Sequence, residues 1–385
     1  MRRRQFLKIA GTSGVILAAT GIGAGAFIAT RSPTRAMAPW NQAGSLYQDP
    51  MRNALSYAVL APNPHNRQPW MVELKSESEA VLRCDLERLL PATDPFDRQI
   101  VIGLGCFIEL FSLAANHLGF RADVDVFPDG APEDRLDQRP IAALRLTADT
   151  GTVPDPLFAF ALNRRTNRNA YDLGRPVSDQ HLSAIKKIAG PGVLVDGVNR
   201  GPLLEKLREL TRLAMRGEFN HPTAHQESVG LMRIGKAEIE ASPDGIYLGG
   251  PLLEGLSLLG MISRDQLADP ASDAFRFGLD MADEQSNTAM GFVWISTRGN
   301  ARNAQLAAGR AYMRQALQVE ASGLAMQPLS QALQEYAAMQ PYYDEAHGLL
   351  TRGPDERVQM LARIGFADAV KPAPRWPLST RIKTA

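Results

Sequence analysis

The sequence predicts an α+β fold, and three features of the chain lead to that prediction. Short apolar segments with the alternation of half-buried strands occur at residues 71–74, 80–86, 121–127 and 141–146. Long apolar stretches with helical spacing occur at 99–118 and 301–322. The strands are too few and too scattered for a doubly wound parallel sheet, in which strands and helices alternate regularly.

The remaining elements follow from start and stop signals along the chain. Residues 51–60 predict a helix that ends at Ala61-Pro62-Asn63-Pro64, because proline lacks an amide donor and disfavours helix at the preceding residue. Further helices are predicted at 157–162, at 178–188 with Ser178 as N-cap, along a leucine stripe from Leu203 to Leu213, and at 354–364. Strands are predicted at 193–196 and 289–296, and residues 39–49 are interpreted as a linker.

The N-terminus resembles a twin-arginine export signal. Arg3-Arg4-x-Phe6-Leu7-Lys8 has Phe and Leu at the positions that this signal prefers, and residues 9–30 are uncharged but rich in Gly, Ala and Thr. A permanent transmembrane anchor is the alternative, since the length permits one. The cleavage site stays open between Ala24-Gly25-Ala26 and Ala36-Met37-Ala38. The signal implies the Tat translocase as a partner, a periplasmic or other extracytoplasmic location, and a cofactor loaded before export.

Composition excludes several classes of function. Lys and Arg number 42 against 41 Asp and Glu, and this balance leaves no electrostatic footprint for nucleic acid. Cys84 and Cys106 lie in apolar segments, which favours buried free thiols over a disulfide. His221 and His225 have the spacing of a helical zinc site, but Pro222 lies between them and the neighbouring Glu of zinc proteases is missing, which argues against a metal.

Three segments carry groups suited to a cofactor. Residues 61–70 form an amide-rich turn between a helix and a strand, which could present donors and acceptors to a heterocycle such as an isoalloxazine edge. Arg164-Arg165-Thr166-Asn167-Arg168 places three guanidinium groups and a hydroxyl within five residues, which suits a phosphate, although a solvated basic loop is the alternative. Arg375 in the tail could close the same phosphate site.

Together these segments resemble the nitroreductase family. Residues 62–70 are similar to its Pro-Ser-Ser-x-Asn-x-Gln-Pro-Trp turn, residues 164–168 to its Arg-x-Ser-x-Arg element, and 176–178 to its Pro-Val-Ser helix start. Residues 320–324, 363–366 and 375–378 are similar to its Glu-Ala-Leu-Gly-Leu, Ile-Gly-Tyr and Arg-x-Pro-Leu motifs. The resemblance implies a nitroreductase-like fold, FMN as cofactor and transfer of hydride or electrons through flavin N5.

The order of the motifs is inverted relative to ordinary family members. Here the turn comes first, and the arginine element follows about a hundred residues later. Family enzymes are homodimers in which one subunit supplies the arginine element and the other the turn. The inversion therefore predicts an intramolecular pseudo-dimer with one composite site, made of residues 39–150 and 151–385 after a signal segment 1–38. This arrangement, with the twin-arginine leader, resembles the Acg-like, Tat-exported branch.

Carried over position by position, the resemblance implies a set of cofactor-binding residues and no catalytic side chain. His65 is interpreted as a hydrogen-bonding scaffold, and 327–330 are expected near flavin N5. The implied FMN contacts are Arg164, Arg165, Thr166 and Arg168 with Arg375 at the phosphate, Pro62, Asn63, Pro64, Asn66 and Gln68 at the ring or fixing the turn, and Pro328 and Leu329 near N5. Thr166 keeps the hydroxyl of the family serine, whereas Asn63 and Pro64 replace two serines.

Two functions remain open. The first is a flavin-dependent oxidoreductase that takes electrons from a quinol or a redox partner, since NAD(P)H is scarce outside the cytoplasm, and passes them to a small-molecule acceptor. The second is a protein that sequesters FMN without turnover, covered by a lid formed from the irregular, Gly-rich chain at 216–261.

Overall fold

The structure is a computed structural model that describes residues 31–149, 151 and 153–384. It confirms the α+β fold. Residues 1–30, which carry the twin-arginine sequence and the apolar stretch behind it, lie outside the described residues, so the predicted leader stays a prediction.

The first half builds four strands around one long helix. Asp49 caps the second helix by accepting from the amide of Arg52, and Asp94 accepts from the amides of Gln99 and Ile100 at the start of the long helix. In chain order the elements are α1 (Thr34–Gln42), α2 (Pro50–Ala58), β1 (Trp70–Leu74), β2 (Glu79–Cys84), α3 (Arg98–His117), β3 (Phe120–Val126) and β4 (Ala142–Ala148).

The second half repeats this plan with a large insertion. Ser178 caps its first helix, as predicted, by accepting from the amide of His181. The elements are α4 (Asp179–Lys186), β5 (Val193–Val198), α5 (Pro202–Asn220), α6 (Pro222–Gly230), β6 (Met232–Ile234), α7 (Gly235–Ala241), β7 (Ile246–Leu248), α8 (Pro251–Leu258), α9 (Arg264–Ala268), α10 (Asp273–Asn287), β8 (Gly291–Arg298), α11 (Arg302–Ala321), β9 (Ala325–Pro328), α12 (Gln340–Leu350), β10 (Glu356–Gly365) and β11 (Ile382–Thr384).

The two main sheets have the same strand order. The first reads β1-β2-β4-β3 and the second β5-β8-β10-β9, with a 20-residue helix between the second and third strand of each half. Neighbouring strands within each set of four are antiparallel. The C-terminal strand β11 crosses over and pairs in parallel with β1, which makes the first sheet five-stranded. The chain is therefore built from two topologically equivalent units, and the tail of the second unit adds an edge strand to the sheet of the first.

The long helices α3 and α11 pack against each other with reciprocal contacts. A Cβ on Gly105 would lie 2.3 Å from the carbonyl oxygen of Leu306, and a Cβ on Gly309 would lie 2.1 Å from that of Ile102. The same shift of 204 positions relates 102 to 306 and 105 to 309. Such exchange of equivalent contacts is the signature of a two-fold interface, and glycine is required at both positions because any side chain would collide with backbone.

Two buried arginines extend this reciprocity. Arg98, at the start of α3, donates to the carbonyl oxygens of Leu333 and Gln359 in the second half and pairs with Glu335. Arg302, at the start of α11, donates to the carbonyl oxygens of 96, 132 and 134 in the first half. Each half thus places one guanidinium into the other, at positions that are again 204 residues apart.

Helix α3 is the one described helix that is long and apolar enough to cross a membrane by length and composition. In its most apolar 18-residue window, 83% of the residues are buried. It packs on β3 and between α2 and α11, so it is the central helix of the hydrophobic core.

Three local predictions were wrong. Residues 354–364 form the strand β10 rather than a helix. This strand lies between β8 and β9, so neighbours on both sides override the helix-forming residues of the segment. Residues 39–49 are only partly a linker, because α1 runs through Pro39 and buries Trp40. Residues 216–261 are not irregular but contain the helices α6, α7 and α8 and the ribbon β6–β7.

Candidate functional site

The predicted turn, residues 61–70, contains a strained segment that is fixed by its own amides. His65, Asn66 and Gln68 have φ of 46°, 52° and 52°, a region that side chains other than glycine seldom adopt. Asn63 accepts from the amide of Gln68 and donates to the carbonyl of Ala61. Strain of this kind persists where surrounding structure enforces it, and it is concentrated at functional sites.

Gly103 explains how this turn comes to lie against α3. A Cβ at that position would be 2.9 Å from Cβ of Asn63 and 3.1 Å from Cδ of Pro64. The pair Gly103-x-Gly105 therefore serves packing on two sides, with Gly103 receiving the turn and Gly105 receiving α11.

Gln68 and Asn66 tie the turn to distant parts of the chain. The Gln68 side chain is fully buried, accepts from the amide of Trp376 at 2.8 Å and donates to the carbonyl of Pro243 at 2.7 Å. Asn66 donates to the carbonyl of Pro374 and accepts from Arg375 at 2.6 Å. The side-chain amides of Asn66 and Gln68 therefore fix the turn and hold the tail against it. Fixing the turn was one of the two roles expected for them, and contact with the ring was the other.

The arginines of the second half converge on the turn of the first half. Arg164 and Arg375 both donate to the carbonyl oxygen of Leu60, at 3.5 and 3.0 Å. Arg165 and Arg375 both lie over the ring of Trp40, at 4.5 and 5.5 Å from its centroid. Three guanidinium groups that are far apart in sequence are thereby gathered around one carbonyl and one aromatic ring.

Arg168 lies close enough to His65 and Tyr247 to interact with both electrostatically. The positive charge of Arg168 helps to lower the pKa of His65 to about 4, after the larger effect of burial. The imidazole is therefore neutral at pH 7, and its buried Nδ1 has no hydrogen-bond partner in the described part of the chain. Burial lowers the pKa of Arg168, while Tyr247 raises it, and the residue is nevertheless exposed to solvent.

This cluster carries more positive charge than nearby carboxylates balance, since Glu320 raises the pKa of Arg164 and Arg165 but forms no ion pair with them. Within the described ranges, no carboxylate forms an ion pair with any of the four arginines, Arg164, Arg165, Arg168 and Arg375. Burial, followed by the charges of neighbouring arginines, lowers the pKa of Arg375 to about 9 and that of Arg165 to about 10. The buried Nε atoms of Arg164 and Arg375 have no partner. Buried, unpaired cations are costly, so the cluster is suited to an anion with several acceptor oxygens, such as a phosphate.

The segment 231–262, here called the lid, covers the turn. Asp244 of the lid lies between Arg88 at 2.6 Å, Arg233 at 2.8 Å and Arg67 at 3.6 Å. The amide of Gly245 donates to the carbonyl of Asn66. The lid also meets α1, where Arg35 pairs with Glu240. The insertion of the second half is thus fastened onto the turn of the first.

The residues expected near flavin N5, 327–330, are the last two residues of β9 and the two that follow it, beside the arginine run. The amide of Asn167 donates to the carbonyl of Met326, which joins the run to β9. Pro328 is half-buried. Leu329 is buried in the hydrophobic cluster that contains Leu361, and its amide donates to the carbonyl of Leu361, so neither its side chain nor its amide is available to a ligand. Ser330 has a buried hydroxyl with no described partner.

Other predicted site residues fall as follows. Thr166 is half-buried within the run, Pro62 is buried, and Asn63 and Pro64 are half-buried on α3. Cys84 and Cys106 are buried free thiols, as expected. No group of three or more potential metal ligands occurs among the described residues, and the ring of His225 contacts the carbonyl of Leu267.

Sequence reasoning missed Trp40, Tyr247 and Asp244. Trp40 was placed in a linker, although a lone Trp followed by several polar residues could have indicated an anchored segment. Tyr247 and Asp244 lie in the insertion, and no local signal connects them to an arginine run some eighty residues earlier.

The fold and the site define the class of the protein: two related α+β halves with an anion-binding cluster where they meet. No family model matches the chain. A protein of Mycobacterium tuberculosis H37Rv, provisionally named an NAD(P)H nitroreductase, is 28% identical over 342 residues, covering 86% of this chain and 90% of that protein. A second one, provisionally named NAD(P)H nitroreductase acg, is 34% identical over 122 residues, covering 31% and 35%.

Among solved structures, the FMN-dependent nitroreductase NfnB from Mycobacterium smegmatis in complex with NADPH overlaps 56% of this chain and 92% of its own, with a TM-score of 0.34 and 18% identity. The chain is similar to a curated nitroreductase over nearly the whole length of both proteins.

Proposed function

We propose that the protein is an FMN-dependent oxidoreductase whose one flavin site is assembled from both halves of a single chain. The observation that carries this proposal is the group of four arginines without carboxylate partners, gathered from the second half around the turn of the first. The reciprocal helix contacts and the matching strand orders support the pseudo-dimer.

The arginine cluster would hold the FMN phosphate. Guanidinium groups donate charge-assisted, bidentate hydrogen bonds to phosphate oxygens, and the bound charge would relieve the repulsion that lowers the pKa values of Arg165 and Arg375. Thr166 would add a hydroxyl, and Trp40 provides a flat apolar floor under two of the guanidinium groups.

The turn and the lid would orient the ring and exclude water. The strained backbone at 65–68 faces Arg168, and neutral His65 can donate or accept a hydrogen bond without adding to the positive charge. When bound, the flavin supplies transfer of hydride or electrons through N5. Burial by the lid strengthens each polar contact, since electrostatic interactions are stronger away from water.

The electron donor is proposed to be a quinol or a redox partner, and the acceptor a small molecule. The curated relatives carry names that assign NAD(P)H as donor. The twin-arginine sequence supports export of the folded protein by the Tat translocase to a compartment with little NAD(P)H.

The contacts of helix α1 help to choose between the two candidate cleavage sites of the leader. The carbonyl of Ala36 accepts from the amide of Arg375, and Arg35 pairs with Glu240 of the lid. A cut after Ala38 would sever α1 and remove both contacts, whereas a cut after Ala26 would keep them. We therefore favour Ala24-Gly25-Ala26 if the leader is removed.

The test is the flavin content of the full chain and of one double variant. The purified protein should be yellow and release about one FMN per chain on heating, as a single composite site requires. Arg164→Ala with Arg168→Ala should abolish flavin retention and leave the circular dichroism spectrum unchanged. Arg200→Ala with Arg276→Ala, which removes two exposed ion pairs, is the control. Unchanged FMN content in the first variant would refute the phosphate assignment.

A protein that sequesters FMN without turnover is the second candidate, and the lid favours it because it covers the site. Anaerobic titration separates the two. Bleaching of the flavin by NAD(P)H or by a soluble quinol, followed by reoxidation with an acceptor, indicates an enzyme. Bleaching by dithionite alone indicates storage.

A further inference from the structure

An exposed leucine patch lies on the outside of the lid, on α8 and the residue after it. Leu252, Leu258 and Leu259 are 51%, 72% and 61% exposed. Glu254 is the one charged side chain in residues 251–261, and it is buried and paired with Arg31 at 2.9 Å. The surface of this helix is therefore apolar and uncharged, which a soluble protein seldom presents without a partner.

The Arg31–Glu254 pair places the end of the apolar N-terminal stretch beside this patch. Residues 9–30 contain no charged side chain and are long enough to span a bilayer. Consecutive Cα atoms are about 3.8 Å apart, so a stretch that is embedded up to residue 30 brings the surface of the bilayer to within one residue of the contact with α8.

We propose that the leucine patch of α8 is a lipid-binding surface that docks the lid on the bilayer. An apolar helix face lying shallowly at the interface gains free energy from burial of its side chains and needs no groove. A second copy of the chain is the poorer occupant, because two exposed leucines on a helix of eight residues and one just after it fall well short of the roughly 800 Å² per partner of a stable protein interface.

The same surface would set the class of electron donor, and this step rests on the proposed function. Tyr247, whose phenol raises the pKa of Arg165, Arg168 and Arg375, lies four residues before α8. The lid thus contributes Tyr247 to the proposed flavin site and, a few residues later, the leucine patch. A lipid-soluble quinol in the bilayer would reach the site without crossing water, and its two electrons and two protons would leave to flavin and solvent.

The experiment labels single introduced cysteines on the full chain reconstituted in phosphatidylcholine vesicles. Cys84 and Cys106 are 5% and 1% exposed and should not react. A fluorophore on Leu258→Cys should be quenched about twofold by doxyl groups on the acyl chains, as expected for shallow insertion. The same label on Leu173→Cys, at a position that is 62% exposed, is the control and should be unaffected.

Three outcomes would overturn the proposal. The label at 258 could remain unquenched in membrane-bound protein. It could be shielded without vesicles in a manner that depends on protein concentration, which would indicate a second copy. It could be shielded from aqueous iodide yet not reached by doxyl lipid, which would indicate that residues 9–30 cover the patch.

A second measurement separates the donor from the docking surface. Leu252→Ser, Leu258→Ser and Leu259→Ser together should slow reduction by a bilayer quinol at least tenfold and leave reduction by dithionite unchanged. The matched triple variant Leu46→Ser, Leu173→Ser and Leu194→Ser alters leucines that are also exposed and should change neither rate. Equal quinol rates in the two triple variants would reject the donor route. A colourless protein would reject the flavin function, while the labelling result would still stand by itself.

Discussion

The two halves of the molecule share one plan and differ in what they add to it. In the first half, β1 and β2 are joined by a short turn, whereas in the second half the equivalent strands β5 and β8 are separated by the insertion from α5 to α10. The first half receives β11 and Arg375 from the tail of the second. The comparison teaches that the site arises from the asymmetry: the first half supplies a turn, and the second supplies the charges and the cover.

The largest expected effect concerns the reciprocal arginines. Arg98→Ala leaves two carbonyls and Glu335 without a buried cation, and Arg302→Ala leaves three carbonyls unpaired. Each change should lower the free energy of unfolding by about 3 kcal/mol, as loss of a buried charged donor does. Denaturant unfolding checks this, with exposed Arg121→Ala as control. If only one of the two variants lost much unfolding free energy, the two arginines would be equivalent in position but not in their contribution to stability.

The helix crossing should give the next largest effect. Gly309→Ala and Gly105→Ala each place a methyl group within 2.5 Å of a backbone oxygen, so each should cost about 2 to 3 kcal/mol of unfolding free energy through overpacking. Gly348→Ala is the matched control, since α12 leaves open space there, and it should stabilise by about 0.5 to 1 kcal/mol. Melting temperatures of the three variants test the prediction, and equal melting points would contradict it.

The insertion should give the protein a pH dependence that arises in the second half. Burial raises the pKa of Glu218 from 4.5 to about 7, against the opposing hydrogen bonds from Gln334 and Ser228. Between these values the unfolded chain has released the proton that the folded chain still holds. The contribution of Glu218 to stability should therefore fall as pH rises from about 4.5 to 7, by roughly 3 kcal/mol, and level off above.

Glu218→Gln should remove this contribution, so the free energy of unfolding of the native protein relative to that of the variant should fall by about 2 to 3 kcal/mol from pH 5 to pH 8. The difference between the two proteins isolates Glu218 from His65 and Asp94, whose pKa values also shift. Glu209→Gln changes an exposed residue of the same helix and should retain the contribution of Glu218. An unaltered pH dependence in Glu218→Gln would mean that another group is responsible.

The smallest expected effect concerns the closure of the lid. Asp244→Asn removes the charge that Arg67, Arg88 and Arg233 share and should speed FMN release about tenfold, or about 1.4 kcal/mol. Recovery of free-flavin fluorescence after dilution measures the rate. Asp179→Asn, at an exposed pair outside the lid, should leave it unchanged. An unchanged rate in Asp244→Asn would show that the lid does not control release.

Periodicity predicted the two long central helices and most strands of the two main sheets, but not the helices of the insertion. The helices at α3, α5 and α11 and the strands β1 to β5 lie within a few residues of their predicted places, because each buries one face or one stripe. Strand β10 could not be distinguished from a helix, because Leu361 breaks the alternation expected of a half-buried strand. The polar residues Arg357, Gln359 and Arg363 otherwise follow that alternation. The sheet neighbours of β10 come from 291–298 and 325–328, which are distant in sequence. The repeat of strand order was equally hidden, since it is a property of pairing and not of residue identity.

The site was predicted in part. The turn and the arginine run carry local signals, and their inverted order suggested that two halves meet. The motif order could not predict that Trp40, Tyr247 and Asp244 lie at the site, because α1 and the insertion bring them there. Whether Asn63 and Pro64 contact the ring stays a prediction.

The crossing of α3 and α11 also has a consequence for synthesis. Cys106 and its contact Gly309 are 203 residues apart, and at about 5 to 20 residues per second the ribosome needs roughly 10 to 40 s to make the second helix after the first. During that time a helix with a mean hydropathy of 1.6, enough to be mistaken for a membrane span, lacks α11 and leaves the face that α11 covers exposed. The nascent first half is therefore a natural client for a chaperone, and expression yield should depend on chaperone supply more than on the stability of the finished protein.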